Sequence, residues 1–420
     1  MKQAEMNSTQ PLPSERRIIA EIWPALLASA LGLLPFTVLS TFLVPIADWA
    51  GAGVAETGTL RGLAGVGAVL AGVAAAPLIG RIAPGTVAAA ALGLMGVAAV
   101  LGTFSGLAAL AAFCLATGIS NALLYPALST AAADRFGTTP AAGRAATLVM
   151  TAQTLASTLG APLLVLPALW WGWQGNLIAI AVLSLVLIPA VVRYGRAHGA
   201  GTEDAAGSGS GQAARMGYIE AFRALGAVPG ARALLLVSFG RAGALMGHLA
   251  FLAPLYADKF QLSASEFAFA WSVSGGAFFL GHLLAGRMFN AEVSERRTRA
   301  VMAICLGTAL AALLGVYLAP ALPLALLCTA LLSACHAVVS AAVTTLLVAR
   351  CTQVRGTALG MNAAGMSLGL FLGTAASGAA LAAAGYLGAA AVLGALTLLA
   401  LGAALAVPAR TTGQIQGQQP

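Results

Sequence analysis

The chain has 420 residues, of which 60% are hydrophobic and 8% are charged, and its formal net charge at pH 7 is +8. A soluble domain carries about 25% charged residues, so this composition excludes a water-soluble globular protein. Apolar runs of about 18 residues or more recur along the chain, and each can cross a hydrocarbon core of about 30 Å as a helix. The alternating pattern of barrel strands is missing. The sequence therefore predicts an all-α integral membrane protein.

Twelve predicted spans follow one another along the chain, separated by proline, glycine or charged residues. They cover approximately residues 22–47, 59–82, 86–103, 107–131, 145–169, 176–192, 233–257, 267–287, 300–318, 322–348, 359–384 and 387–407. Between the sixth and seventh spans lies the Gly/Ser-rich stretch 199–211, whose composition is typical of a flexible linker. The predicted organisation is a tail over 1–20, a six-helix bundle over 21–193, a linker over 194–231, a second six-helix bundle over 232–408 and a tail over 409–420.

A short helix is predicted inside the linker, over residues 216–225. It would place Tyr218, Phe222 and Leu225 on one side and Glu220 with Arg223 on the other. Such a helix can lie flat on the cytoplasmic face of the membrane, with its apolar side in the lipid. The alternative is a helical turn in water.

The basic residues predict the orientation. All but three of the 21 lysines and arginines fall in the tails and the even-numbered loops, the exceptions being Arg61, Arg241 and Lys259. The positive-inside rule then places both termini and the linker in the cytoplasm. This topology accounts for the positive net charge without a nucleic-acid partner. The composition, rich in arginine, alanine and glycine and poor in lysine, suggests a bacterial protein and therefore the bacterial inner membrane.

Several kinds of chemistry find no support in the sequence. The five cysteines lack the paired spacing of metal ligands, and no phosphate-binding loop of the GxxxxGK[ST] type occurs. No set of His, Asp and Ser side chains falls in a soluble domain. We therefore expect no metal, no cofactor and no enzyme activity.

The two halves of the sequence repeat the same patterns in the same order. Residues 42–45 (FLVP), near the end of span 1, match residues 251–254 (FLAP), near the end of span 7. The Gly-Arg pair 80–81 closes span 2, and the pair 286–287 closes span 8. Small residues are spaced alike in spans 5 and 11. In a parallel repeat of this kind, the substrate site lies between the halves near the middle of the bilayer.

With these motifs, the chain resembles the transporters of the major facilitator superfamily over about residues 16–408. The family motif between spans 2 and 3 has an Asp four residues after a Gly, where this chain has Pro84 after Gly80. The second copy has Asn290 after Gly286, and Cys114 replaces an Arg of the family motif in span 4.

The resemblance extends to the exporter branch of the family through span 5. Residues 160–162 (GAP) are similar to the Gly-Pro motif of those exporters. The resemblance implies twelve transmembrane helices in two pseudo-symmetric six-helix bundles, complete as a monomer, that rock around a central cavity. The residues implied in gating or conformational change are Gly80, Arg81, Gly160, Pro162, Gly286, Arg287, Gly369 and Gly373.

Arg241 is the leading candidate for contacting a substrate. It lies about nine residues into span 7, or roughly 13 Å along the helix. An Arg at mid-membrane costs about 2.5–3.5 kcal/mol on insertion scales, so one kept there usually faces a cavity. It would bind an anionic group, or alternatively pair with backbone carbonyls between helices. His248 lies seven residues further on the same helical face and is either a proton carrier or a packing histidine.

The other candidates concern proton coupling. His336 falls near the middle of span 10, whereas His282, near the end of span 8, is expected only to pack. No carboxylate lies deep in a span, although a buried Asp or Glu is the usual coupling group. Asp48 and Glu56 lie near the outer mouth, with Arg61 about one turn into span 2. Either one of these two carboxylates enters the cavity or a histidine carries the proton.

Three functions remain open on the sequence. The first is proton-coupled efflux of amphipathic small molecules such as drugs, siderophores or metabolites. The second is proton-coupled uptake of a small organic anion held by Arg241. The third is a membrane sensor or scaffold that uses the same fold without transporting anything.

Overall fold

The computed structural model describes residues 14–75, 82–137, 140–196, 218–289 and 294–408. Within these ranges the regular structure is helical throughout, with no strand. The α-helices are α1 (Glu15–Thr41), α2 (Leu43–Ala50), α3 (Val54–Leu60), α4 (Leu63–Ala75), α5 (Pro84–Leu101), α6 (Leu107–Asp134), α7 (Pro140–Arg196), α8 (Tyr218–Ala227), α9 (Ala231–Phe260), α10 (Ala264–Met288), α11 (Glu295–Leu318), α12 (Leu322–Arg350) and α13 (Arg355–Leu405). A 3₁₀ turn, Thr352–Val354, precedes α13.

Nine helical stretches among the described residues are long and apolar enough to cross a membrane. Two of them, Ala141–Tyr194 and Thr352–Leu405, contain 54 residues each. A straight helix of that length would measure about 80 Å, more than twice the thickness of a hydrocarbon core. Each is instead broken in the middle, at Gly172 (φ 69°) and at Gly385 (φ 65°). Each therefore supplies two spans, which raises the count from nine to eleven.

The twelfth span is α3 followed by α4. Its two helices are separated by a turn at Arg61 and Gly62, so neither reaches the length of a full span by itself. The prediction of twelve transmembrane helices is thus confirmed. In chain order, span 1 is α1 and α2, spans 3 and 4 are α5 and α6, and spans 5 and 6 are the two parts of α7. Spans 7 to 10 are α9 to α12, and spans 11 and 12 are the two parts of α13.

The packing partners of the helices are the same in both halves. Span 1 packs on α7 as span 7 packs on α13, span 2 packs on span 4 as span 8 packs on span 10, and span 3 packs on span 4 as span 9 packs on span 10. This correspondence makes the two six-helix bundles pseudo-symmetric.

We call one end of the molecule the inner end, because it carries the exposed side chains of Arg287, Arg296 and Arg355. Odd-numbered spans begin there. Helix α8 also lies at this end, where Leu225 is buried in the apolar core and Phe222 is exposed. The opposite end is the outer end.

Small residues bring span 11 against span 7 inside the second bundle. A Cβ at Gly373 would overlap the backbone of Gly243, and one at Gly369 would meet the Phe239 carbonyl oxygen. The two backbones therefore approach as closely as small-xxx-small packing allows in membranes. Gly369 and Gly373 thus lie at a contact within one bundle.

The two bundles touch each other on the outer side. Span 2 lies against span 11 so closely that a Cβ at Gly65 would overlap the Ser367 carbonyl group. Span 8 lies against span 5, where Ser272 Oγ donates a hydrogen bond of 2.7 Å to the Thr158 carbonyl oxygen. These contacts fall in the middle and outer parts of the four helices, whereas a cavity opens at the inner end. The structure is therefore an inward-facing arrangement.

Candidate functional site

A cavity of about 610 Å³ opens at the inner end of the second bundle, between spans 8 and 10 and the start of span 11. Its polar lining consists of hydroxyl and basic side chains. These are His282, Ser340, Thr344, Thr345, Thr352 and Arg355. A cavity lined in this way can admit a polar or anionic molecule from the inner side.

Arg241 lies deeper in the same bundle. Arg241 is only 2% exposed. At 1.5 Å per residue, its Cα lies about 15 Å along the helix from the inner end of span 7. Nη1 donates a hydrogen bond of 3.4 Å to the His336 carbonyl oxygen, while Nε has no hydrogen-bond partner. The guanidinium also acts electrostatically on the ring of His282. Arg241 is therefore within electrostatic range of a side chain that lines the cavity.

His336 connects the cavity with Arg241. It lies halfway along span 10 and is 1% exposed, and neither ring nitrogen has a hydrogen-bond partner. Ser340 and Thr344, which line the cavity, follow at intervals of four residues, so they share a helical face with His336. Hence this face of span 10 leads from the cavity to the arginine.

His248 is the third member of this buried cluster. It is 1% exposed, and its ring packs edge-on against Tyr317 with the ring centroids 5.8 Å apart. Both ring nitrogens lack a hydrogen-bond partner, and the side chain lies near that of His336. The structure thus brings together Arg241, His248 and His336, which the sequence singled out separately.

Among the residues that the structure describes, no carboxylate balances the charge of Arg241. Every carboxylate in the described part of the chain lies in a loop or within about two turns of a helix end: Glu15, Glu21, Asp48, Glu56, Asp134, Glu220, Asp258, Glu266 and Glu295. The middle of the second bundle is therefore positively charged. A guanidinium binds carboxylate or phosphate groups through paired N–H donors, so an anion can complete this site.

The other candidates for substrate or proton binding lie elsewhere. Arg61 is buried in the first bundle, where Nη1 donates a 2.7 Å hydrogen bond to Ser40 Oγ and the guanidinium lies 5.8 Å from the ring centroid of Phe36. Asp48 and Glu56 are exposed at the outer end. Glu56 accepts a hydrogen bond from the Gly53 N–H as part of a helix cap. Neither carboxylate joins the Arg241 cluster.

The candidates for gating are scattered. Gly80 and Arg81 lie outside the described residues. Gly286 and Arg287 are exposed in the last turns of span 8. A Cβ at Gly160 would contact the side chains of span 1 at 3.3 Å, and Pro162 follows it within α7.

Two basic residues of the cavity escaped the sequence analysis. His282 was expected only to pack, and Arg355 was not singled out, yet both line the cavity. The hydroxyl residues that follow His336 every four positions were an available signal, because they mark a polar face on an otherwise apolar helix. No signal in the sequence places span 8 beside that face.

The fold and the buried polar cluster define a two-bundle membrane carrier. The sequence profile of the Major Facilitator Superfamily matches residues 25–297, about 65% of the chain (273 of 420), and the chain belongs to this superfamily. Membership supports secondary transport across a membrane. A search of curated proteins finds no match.

Solved structures of the superfamily superpose on nearly the whole chain. A bacterial homologue of the human lysosomal transporter Spinster, inward-facing and unoccupied, matches with a TM-score of 0.74 and 17% identity over 94% of this chain and 97% of its own. The human organic anion transporter MFSD10 (TETRAN) matches with a TM-score of 0.60 and 18% identity over 93% of this chain and 100% of its own. A mutant form of the nucleoside transporter NupG matches with a TM-score of 0.66 and 15% identity over 91% of this chain and 98% of its own. At sequence identities this low, the similarity shows a shared fold and nothing about the substrate.

Proposed function

We propose that this protein is a secondary active transporter of a small organic anion, which Arg241 binds in the inward-facing state. The observation that carries the proposal is a buried guanidinium with one long hydrogen bond and no carboxylate partner among the described residues, close to a cavity open at the inner end. A buried charge without a partner is unfavourable. A bound anion would remove that cost, which gives the site a preference for negatively charged cargo.

The cavity supplies a route to this site. Arg355 and His282 line it along with four hydroxyl side chains. Positive charge at the mouth of a cleft raises the local concentration of anions, and hydroxyl groups can replace part of their hydration. An anion entering from the inner side would therefore move along span 10 towards Arg241.

We propose a proton as the coupling ion and the buried histidines as its carriers. His336 accepts a hydrogen bond from Arg241 through its backbone carbonyl and lies near His248, and the ring nitrogens of both histidines are unpartnered. A neutral imidazole can accept a proton and so change the charge next to the anion. The exposed positions of Asp48 and Glu56 in this state favour the histidines over these carboxylates.

The setting of the transporter belongs to the same proposal. The arginine-rich inner end would face the cytoplasm of a bacterium, with the chain in the inner membrane and both termini inside. One copy contains both bundles and the site, so a monomer suffices. The exporter-like sequence in span 5 makes efflux of amphipathic compounds the rival function. Anion transport requires Arg241, whereas efflux of neutral or cationic compounds does not.

The test is transport by purified protein in liposomes that enclose a pH-sensitive dye. A pH gradient is imposed in either direction, and organic anions, neutral compounds and amphipathic cations are added one at a time. We expect proton movement with anions only, and its loss in Arg241→Gln. Arg296→Gln, which removes an exposed arginine at the inner end, is the matched control and should transport normally.

Two results would contradict the proposal. Proton movement driven by cationic or neutral compounds and unchanged in Arg241→Gln would establish the exporter. If folded protein moved none of the compounds, the scaffold function would take its place.

A further inference from the structure

A second group of buried polar atoms lies in the first bundle, on span 4. The Asn121 side-chain oxygen and the Tyr125 hydroxyl are buried; the amide oxygen has no hydrogen-bond partner, and the hydroxyl has the Gln153 side chain within reach. Buried polar atoms are normally satisfied, so the amide oxygen of Asn121 lacks a partner, while the Tyr125 hydroxyl, which both donates and accepts, can make a further bond. Asn121 is halfway along the 28 residues of α6, which places the pair near mid-membrane.

Gly32 of span 1 leaves room for these atoms. A Cβ at this position would lie 2.8 Å from the Tyr125 hydroxyl oxygen and 3.1 Å from Asn121 Oδ1. Any larger side chain would displace the polar atoms. The absence of a side chain at Gly32 is therefore part of the geometry of this group, which we call the neutral cluster (Gly32, Asn121 and Tyr125).

The internal repeat relates the neutral cluster to the arginine. Residues 42–45 match 251–254 with an offset of 209, and the same offset takes Gly32 to Arg241. Span 4 likewise corresponds to span 10, because both pack on the equivalent neighbours. Span 4 therefore presents polar side chains to Gly32 as span 10 presents the His336 carbonyl to Arg241. The two groups occupy corresponding depths in the two bundles.

Each group has a neighbour on one of the two helices, spans 5 and 8, that meet between the bundles. Gln153 of span 5 lies beside the Tyr125 hydroxyl. It is one turn closer to the inner end than Ser157, which packs on Gly275 of span 8. On span 8, His282 is two turns closer to the inner end than Gly275. Gln153 and His282 thus continue the contact faces of spans 5 and 8 towards the open inner side.

We infer that the substrate is a hydroxylated organic acid bound at both ends, its anionic group at Arg241 and its hydroxyl at the neutral cluster. The inference rests on the proposed function for the anionic end. The neutral cluster has no charged side chain, so it suits an uncharged group. A hydroxyl both donates and accepts hydrogen bonds, and it can therefore satisfy the amide of Asn121 and the phenol of Tyr125 together.

The test uses matched pairs of acids of increasing length. Fatty acids from butyrate to decanoate are compared with their ω-hydroxy counterparts for binding to the purified full-length protein. At the length that spans the two groups, the hydroxy acid should bind about 10-fold or more tightly than its parent, since a site built to bond a hydroxyl rejects the analogue lacking it.

Tyr125→Phe and Asn121→Leu should each remove this preference, so that the ratio of hydroxy-acid to parent-acid affinity falls to about one. Arg241→Gln should abolish binding of both acids. Tyr194→Phe is the control, because it deletes another buried tyrosine hydroxyl, on span 6. If Tyr125→Phe does not fold, Asn121→Leu carries the test.

The outcomes separate the two proposals. Equal binding of hydroxy and parent acids at every length, with both dependent on Arg241, would overturn the neutral cluster as a binding site and leave anion transport standing. A preference for the hydroxy acid that persists in Tyr125→Phe and Asn121→Leu would also overturn it. If none of the acids bound to the folded protein, the proposed function itself would fail.

Discussion

At the scale of single residues, three buried arginines differ in the partners that their guanidinium groups bind. Arg241 is buried without an acid, Arg61 is satisfied by a hydroxyl group, and Arg350 is paired. The cost of inserting a charge into the membrane applies to Arg241 and Arg61, which lie within spans, whereas Arg350 is the last residue of span 10. The unpaired one is the candidate for cargo, and the paired one is expected to stabilise the fold.

Arg350 gives a prediction at this scale. Its guanidinium bonds Glu295 Oε2 at 2.8 Å and the carbonyl oxygens of Pro229 and Pro408 at 2.9 Å each. It therefore ties the inner ends of spans 7, 9, 10 and 12. Arg350→Met should lower the free energy of unfolding by about 2–3 kcal/mol, since buried acceptors are left without donors. Thermal unfolding in detergent measures this.

The control for that prediction is Arg297→Met, at an exposed position in the first turn of the same span as Glu295. It should change the stability by less than about 0.5 kcal/mol. Equal melting temperatures for the two variants would contradict a stabilising role for Arg350.

At the scale of helices, a glycine at each of the two breaks divides one long apolar stretch into two spans. Gly172 has φ 69° and ψ 178°, a region that is essentially restricted to glycine. Span 5 can therefore end there and span 6 can return. The residues around the break, 170–176 (WWGWQGN), are less apolar than the spans on either side, which agrees with the separation predicted from the sequence.

Gly172→Ala should consequently destabilise the protein by about 1–3 kcal/mol. Gly307→Ala is the matched control: this glycine lies within span 9, and a Cβ there would meet nothing within 4 Å. It should be neutral or slightly stabilising, because alanine favours a helix more than glycine does. The two melting curves in the same detergent check the expectation, which a lower stability of Gly307→Ala would contradict.

At the scale of the whole molecule, the inward-facing arrangement depends on close contacts between the bundles. A side chain at Gly65 would overlap the Ser367 carbonyl group across the contact between spans 2 and 11. Rocking of the bundles must separate these helices to open the outer side. The tight fit of the glycine therefore favours the state that the structure shows.

Gly65→Val should shift the population towards the outward-open state. A Thr374→Cys reporter on the facing side of span 11 should then react about 10-fold faster or more with a membrane-impermeant maleimide from the outer side, for a shift of about 1.4 kcal/mol. Gly72→Val on the same helix is the control, since a Cβ at Gly72 would meet nothing within 4 Å. An unchanged labelling rate in Gly65→Val would refute the role of this contact.

The sequence by itself determined the number of spans, the repeat and Arg241 as a mid-membrane charge. Hydropathy, breaker residues and internal matches are local or periodic properties, so they can be followed along the chain. The sequence also placed His248 and Arg241 on the same face of one helix, two turns apart. It did not show that His336 joins them, because that contact brings span 10 onto span 7 between residues 95 positions apart in the chain.

Only the tertiary structure decided which polar groups share a site. Arg61 and Glu56 are neighbours in sequence, yet Arg61 is satisfied by Ser40 while Glu56 caps a helix at the surface. His282 lines the cavity because span 8 packs on span 10, and Asn121 and Tyr125 meet Gly32 because spans 1 and 4 cross there. In a chain that is apolar nearly throughout, hydropathy places each helix in the membrane. The face that each helix turns towards the cavity depends on close packing against its neighbours.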